Sequence, residues 1–254
     1  MILQAQRGWS VLELAMVLAI VGLLAWSGLS VLEGGQARQD RDRALQQAEA
    51  WRDRLRTFAL HNRRLPCPDL TGQGWEGDAA GSCAAAMTGW LPYRALGLDL
   101  PAEELRAAYA VFRLANVASP GQDADLAVQR ERTGDAPGSL AYQDVFDLVR
   151  GLNNAAALAA AQAGGVITTQ PHLTGNGGQA GAIDCVGLPR DNVAFRVLVP
   201  LKDRDGDASR FDGGHTLQGL CSEAPGAAMR HTQDDVVLAE GFGALAGWLQ
   251  ARAW

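Results

Sequence analysis

Between Lys202 and Gly214 the chain reads KDRDGDASRFDGG, which places Asp203, Asp205 and Asp207 at alternate positions and Asp212 beside two glycines. Hard carboxylate oxygens gathered around glycine turns suit Ca2+, which takes about 6–8 oxygen ligands. The spacing departs from an EF-hand loop, because Gly206 falls early and no glutamate closes the loop at its twelfth position. A solvated acidic turn is the plainer reading of the same residues. Calcium at Asp203, Asp205, Asp207 and Asp212 is therefore carried as an expectation, and no other cofactor is expected.

Four cysteines, Cys67, Cys83, Cys185 and Cys221, make an even set that suits two disulfides in an oxidising compartment. Three pairings are open. Cys67–Cys83 with Cys185–Cys221 is favoured, because each pair falls within one loop-rich region; four buried or free thiols is the alternative. No CxxC occurs, which argues against a zinc ribbon or a dithiol redox site. His61, His172, His215 and His231 are scattered, and the one grouping they offer is His215 and His231 on either side of Cys221. GxSxG, HExxH and P-loop motifs are missing from the sequence, so no enzyme activity is expected. GQGWEG, Gly72 to Gly77, fits G-x-G-x-x-G, but Pro66 and Pro68 stand where the preceding strand would be and no helix follows.

The elements that must position these residues are readable by period. NVAFRVLVPL (Asn192–Leu201) reads as a strand running into the acidic loop, and DDVVLAE (Asp234–Glu240) as another. AAYAVFRLA (Ala107–Ala115) is a third. Apolar residues at spacings of 3–4 mark a helix over Leu140–Ala163 and a short one over Phe242–Trp254. Late strands joined by loops, one of them too short for a crossover, argue for an antiparallel sheet. From Gln36 to His61, Ala44, Leu45, Ala48, Trp51, Leu55, Phe58 and Ala59 form one helical face opposite a solvated charged face. The Pro/Gly-rich stretch after Arg63 is loop, and Ala118–Gly138 a surface excursion. The chain has 254 residues, 48% hydrophobic and 20% charged, with a net charge of −6. That supports a packed core and excludes a general nucleic-acid binder, which needs a basic face.

From Trp9 to Leu32 the sole charged residue is Glu13. A helix of those 24 residues would be about 36 Å long, enough for a bilayer core of about 30 Å. Arg7 on the N-terminal flank would keep that end in the cytoplasm and place the remainder outside. Glu13 needs a partner at such a depth. Cleavage after Gly8 would free the α-amino group of Trp9, a cation four residues from Glu13 that a neighbouring subunit could offer.

RGWSVLELAMVLAIVGLL resembles the class III signal of type IV prepilins and type II secretion pseudopilins. The resemblance implies that Gly8 ends a leader, that Trp9 is the methylated N-terminus and that Glu13 serves assembly. It implies an α+β, pilin-like fold: a long N-terminal helix (transmembrane first half, amphipathic second half) packed on a C-terminal antiparallel β-sheet domain with extra loops and helices. The segments would be a leader 1–8, a helix 9–62 with 9–32 in the membrane, and a head 63–254. The implied role is a minor pilin or pseudopilin with no catalysis of its own. It would await assembly as a single-pass inner-membrane protein with its head in the periplasm, then enter a periplasmic or cell-surface filament. The implied partners are a prepilin peptidase, other pilin or pseudopilin subunits and an inner-membrane assembly platform. LPCPD leading to GWLPYRALGL resembles a loop of some pilin-like proteins, and some pseudopilins hold calcium in a C-terminal loop. The chain departs from the family in starting with Trp9 rather than Phe or Met, in having one basic leader residue, Arg7, and in Ser30 replacing a kinking proline, with Gly34 and Gly35 a soft spot soon after. Two rival readings stand beside it: a membrane-anchored periplasmic enzyme, and an adhesive or ligand-binding module.

Overall fold

The computed structural model describes residues 11–135, 143–175, 183–185, 187–228, 230 and 232–253, with the side chains of 25 and 27–34 excepted. The chain divides into two units, Met1–Arg43 and Ala44–Trp254. Helix α1 spans Val11–Asn62. It is followed by β1 (Thr88–Trp90), β2 (Ala108–Val111), β3 (Arg113–Leu114), β4 (Ala124–Asp125) and α2 (Val145–Ala160). Then come β5 (His172–Thr174), β6 (Pro189–Asn192), β7 (Phe195–Val199), β8 (Cys221–Glu223), β9 (Val236–Glu240) and α3 (Phe242–Gln250).

In the first unit, Glu13 lies in the first turn of α1, where the helix dipole favours a carboxylate. Val11, Leu12, Met16, Leu18, Leu23 and Trp26 are exposed. Among the described residues no helix is long and apolar enough to cross a membrane. The expectation of a single-pass inner-membrane protein with a periplasmic head is corrected on this finding.

In the second unit, Ala44, Ala48, Trp51, Leu55 and Ala59 recur every three or four residues and are buried. They join a core with one face of an antiparallel sheet ordered β1-β2-β7-β9. Strand alternation supplies that face: Phe195, Val197 and Val199 point into the main core, while Leu198 points to the other side. Helices α2 and α3 add Leu148, Leu152, Leu245 and Leu249 to the main core. On the reverse face a smaller cluster gathers Ala108, Leu198 and Val237 around Phe211, which belongs to the acidic loop. One apolar side chain thus pins that loop to the sheet.

Helix α2 starts where its sequence dictates. Asp144 caps it by accepting from the backbone N–H groups of Phe146 and Asp147, and the Asp147 side chain accepts from Asp144 N–H in return. The expected strand over 107–115 breaks at Phe112 into β2 and β3, because β2 pairs with β7 and β3 turns to pair with β4.

The pilin-like α+β fold class is corrected here. In place of a single antiparallel sheet the described residues of the second unit form three open sheets, and β5 runs parallel to β8 while antiparallel to β6. Its strands run to two to five residues each, and those of the two smaller sheets find their partners outside the β1-β2-β7-β9 sheet.

GQGWEG owes its glycines to a carboxylate cradle, not to a phosphate. Asp69 Oδ1 accepts from the N–H groups of Thr71 and Gly72, each at 2.8 Å, and Oδ2 accepts from Gly74 N–H at 2.6 Å. Gly72, Gly74 and Gly77 all take positive φ, and a Cβ on Gly77 would collide with the Ser82 carbonyl. The Cys67–Cys83 disulfide closes this loop.

Candidate metal centre

The register of β7 and β9 builds the site. Val199 pairs with Val236, so the residues leaving β7 run beside the residues entering β9. Lys202 N–H donates to Asp234 Oδ1 at 3.1 Å and Arg204 N–H to Asp212 Oδ1 at 2.8 Å. Asp234 N–H donates to Asp212 Oδ2 and Asp212 N–H to Asp235 Oδ2, both at 2.9 Å. These bonds fold the loop back over the end of the sheet, with Phe211 as its apolar anchor.

Two small groups of aspartates result. Asp203, Asp205 and Asp212 each bring a carboxylate oxygen within 4.8 Å of the others, and so do Asp212, Asp234 and Asp235. Asp212 belongs to both. Asp203 and Asp205 are exposed, whereas Asp212, Asp234 and Asp235 are buried. The outer group is shaped by turns: Asp203 accepts from Gly206 and Ala208 N–H, and Asp205 from Gly213 and Asp207 N–H. Asp207, the fourth expected ligand, accepts from Ser209 N–H instead and does not join either group. Oxygen-only donors of this type fit a hard cation such as Ca2+.

Electrostatics separate the outer from the inner aspartates. Gly213 N–H holds the Asp205 carboxyl below its usual range. Burial raises Asp212, and burial with the neighbouring carboxylates pushes Asp235 up to about 8. His215 is lowered to about 4, first by burial and then by the nearby Arg196. Its tautomer follows from its bonds: Nε2 accepts from Glu223 N–H at 3.3 Å, so Nδ1 carries the proton and donates to Asp235 Oδ2 at 3.0 Å. Arg196, fully buried, donates to the carbonyls of Cys221 and Gly219 and so ties β8 to β7 beneath His215.

A pH dependence follows for the cation-free protein. Asp235, raised when folded, adds stability at low pH that is lost as pH rises towards 8. His215, depressed when folded, adds stability above about 6.5 that is lost as pH falls towards 4. The two oppose each other at acid pH; above about 6.5 the His215 contribution is complete while that of Asp235 still falls, with Asp212 shifted in the same direction. Urea midpoints are expected to fall between pH 6.5 and 8 by at most about 2 kcal/mol of stability, and Asp235→Asn to flatten that fall. A midpoint that rises over this interval in the wild-type chain would contradict the assignment.

No protein-family model, no curated protein and no solved structure matches this chain. The resemblance to type IV prepilins and pseudopilins is corrected on these comparisons. With it go the role of minor pilin in a pilus or secretion pseudopilus and the associated membrane and assembly terms. The physical reason is locality: the motif occupies residues 7–24 and constrains nothing in the second unit, whose three sheets follow their own pattern. Gly8 and Trp9, the expected processing residues, lie outside the described residues. Glu13 is exposed on α1.

The remaining sequence candidates are dispersed. Cys67 is joined to Cys83 and Cys185 to Cys221, so Cys221 offers no thiolate to His215. His172 is buried on β5 with Nδ1 against the Gln170 carbonyl, His61 closes α1, and His231 lies outside the described residues. Sequence reasoning passed over Asp234 and Asp235 as strand residues. The available signal was two adjacent carboxylates at the mouth of an apolar strand, an expensive place for charge without a partner.

Proposed function

We propose that this chain is a ligand-binding module whose 203–212 loop takes Ca2+, and that it is not an enzyme. The observation that carries the reading is the convergence of Asp203, Asp205 and Asp212 at the end of the β7–β9 pair. The His215–Asp235 pair is the strongest feature on the side of catalysis, and its chemistry argues the other way. Nε2 is committed to Glu223 N–H, so the imidazole has no lone pair left to act as a base, and both partners are fully buried. The two disulfides suit a module that matures under oxidising conditions. Modules of that kind hold Ca2+ with dissociation constants of about 0.1–1 mM. At tenfold excess over such a constant, Ca2+ is expected to add about 1.4 kcal/mol and to raise the melting temperature by roughly 3–5 °C. Differential scanning fluorimetry of EDTA-treated protein, with CaCl2 against NaCl at matched ionic strength, checks this. Equal melting temperatures in the two salts would remove the reading.

A further inference from the structure

We propose that Asp212, Asp234 and Asp235 form a second, inner cation site, and that the Arg204 guanidinium is the counter-ion a divalent cation displaces from it. The inference rests on the calcium reading of the outer loop and goes beyond it, because two of these residues lie outside that loop and are buried.

Asp212, Asp234 and Asp235 are almost wholly buried, at 0%, 2% and 2% exposure. Asp212 spends its carboxylate on the backbone N–H groups of Arg204 and Asp234. Asp235 Oδ2 serves Asp212 N–H and His215, but its Oδ1 is buried and has no hydrogen-bond partner among the described residues. A buried carboxylate oxygen left without a donor costs free energy. Among the described residues, the ion pair that meets this trio is Arg204 Nε with Asp234 Oδ2 at 2.6 Å. Arg204 meets one oxygen of Asp234, and among the described residues no guanidinium or ammonium pairs with Asp212 or Asp235. A divalent ion would supply the missing charge and a partner for Asp235.

Arg204 is suited to leave. Its side chain is 30% exposed, against 3% for Asp234, so it reaches the trio from the solvent side. Its backbone N–H stays on Asp212, which keeps the loop in place while the side chain swings out. Sharing Asp212 couples the two sites, since the ligand that orders one also faces the other.

Isothermal titration of the EDTA-treated full chain with CaCl2 tests the proposal. Two binding events are expected in the wild type. Asp235→Asn should leave one, and Asp203→Asn with Asp205→Asn should remove the other. Arg204→Gln should tighten the inner event by about fivefold, the factor that matches loss of a part-exposed competing ion pair. A purely structural Arg204 would give the opposite sign or no change, and either result would overturn its role as displaceable counter-ion. A single event unaltered by Asp235→Asn would overturn the inner site and leave the outer reading intact. No heat up to about 5 mM CaCl2 would overturn both. Far-ultraviolet circular dichroism confirms that each variant is folded, and Asp234→Asn, expected to lose the same event as Asp235→Asn, serves should the latter fail to fold.

Discussion

Asp212→Asn is expected to abolish the calcium response of the whole centre, with affinity weakened at least about tenfold at every event. The variant keeps the size of the side chain and removes the charge that both aspartate groups share. It also removes one of two acceptors. Arg204 N–H and Asp234 N–H each donate to a separate Asp212 oxygen, so one donor faces the new amide nitrogen and goes unsatisfied. That costs about 1–3 kcal/mol, offset in part by relief of repulsion with Asp234 and Asp205. Thermal melts with and without CaCl2 separate the two effects. A metal ligand predicts a melting temperature that is lowered and no longer moves with Ca2+. A residue that only braces the loop predicts a melting temperature that is lowered and still rises with Ca2+ as the wild type does, and that outcome would remove Asp212 from the site.

How much of this centre was legible in the sequence depends on distance along the chain. Asp203, Asp205 and Asp212 lie within one loop, and their spacing around Gly206 and Gly213 was enough to mark them. Asp207 has the same spacing yet joins neither group, and its carboxylate accepts from Ser209 N–H, a local bond that composition does not reveal. Asp234 and Asp235 were hidden by register. Nothing in DDVVLAE states that Val236 pairs with Val199, and that pairing alone brings the second half of the site to the first. The same contrast runs through the fold. Helices α2 and α3 fall inside their expected segments, since a 3–4 apolar period is a local signal. HLT, PRDN and CSE, the strands β5, β6 and β8, carry no alternation and owe their pairing to partners far away in sequence. The N-terminal pattern erred in the other direction. A strong local motif in residues 7–24 was extended to a head that it does not constrain.

Arg132→Met should be among the most destabilising single changes in the second unit, at about 3–5 kcal/mol and a fall in melting temperature of roughly 10 °C or more. Arg132 and Asp123 are both fully buried, and the guanidinium meets Asp123 Oδ2 through Nη2 at 2.7 Å and Nε at 3.1 Å. Nη2 also donates to the Asp125 carbonyl, and Arg132 N–H donates to Asp147 Oδ1 at the start of α2. Burial pulls the guanidinium pKa down and Asp123 opposes the pull, so the pair holds its charge through mutual contact. Packing is built around it: a Cβ on Gly151 of α2 would lie 3.1 Å from Arg132 Nε, which accounts for a glycine in mid-helix. Methionine fills much of the volume but leaves the Asp123 carboxylate buried without its main partner. Two controls give the prediction its edge. Arg130 also faces Asp123, at 3.4 Å, but is part-exposed, so Arg130→Met should cost about 1 kcal/mol or less. Arg132→Met combined with Asp123→Leu removes both charges and should recover most of the loss, because the cost lies in the orphaned carboxylate. Urea melts of the three variants decide the matter. A double variant no more stable than Arg132→Met alone would show that lost packing and backbone bonds, not the stranded charge, govern this junction.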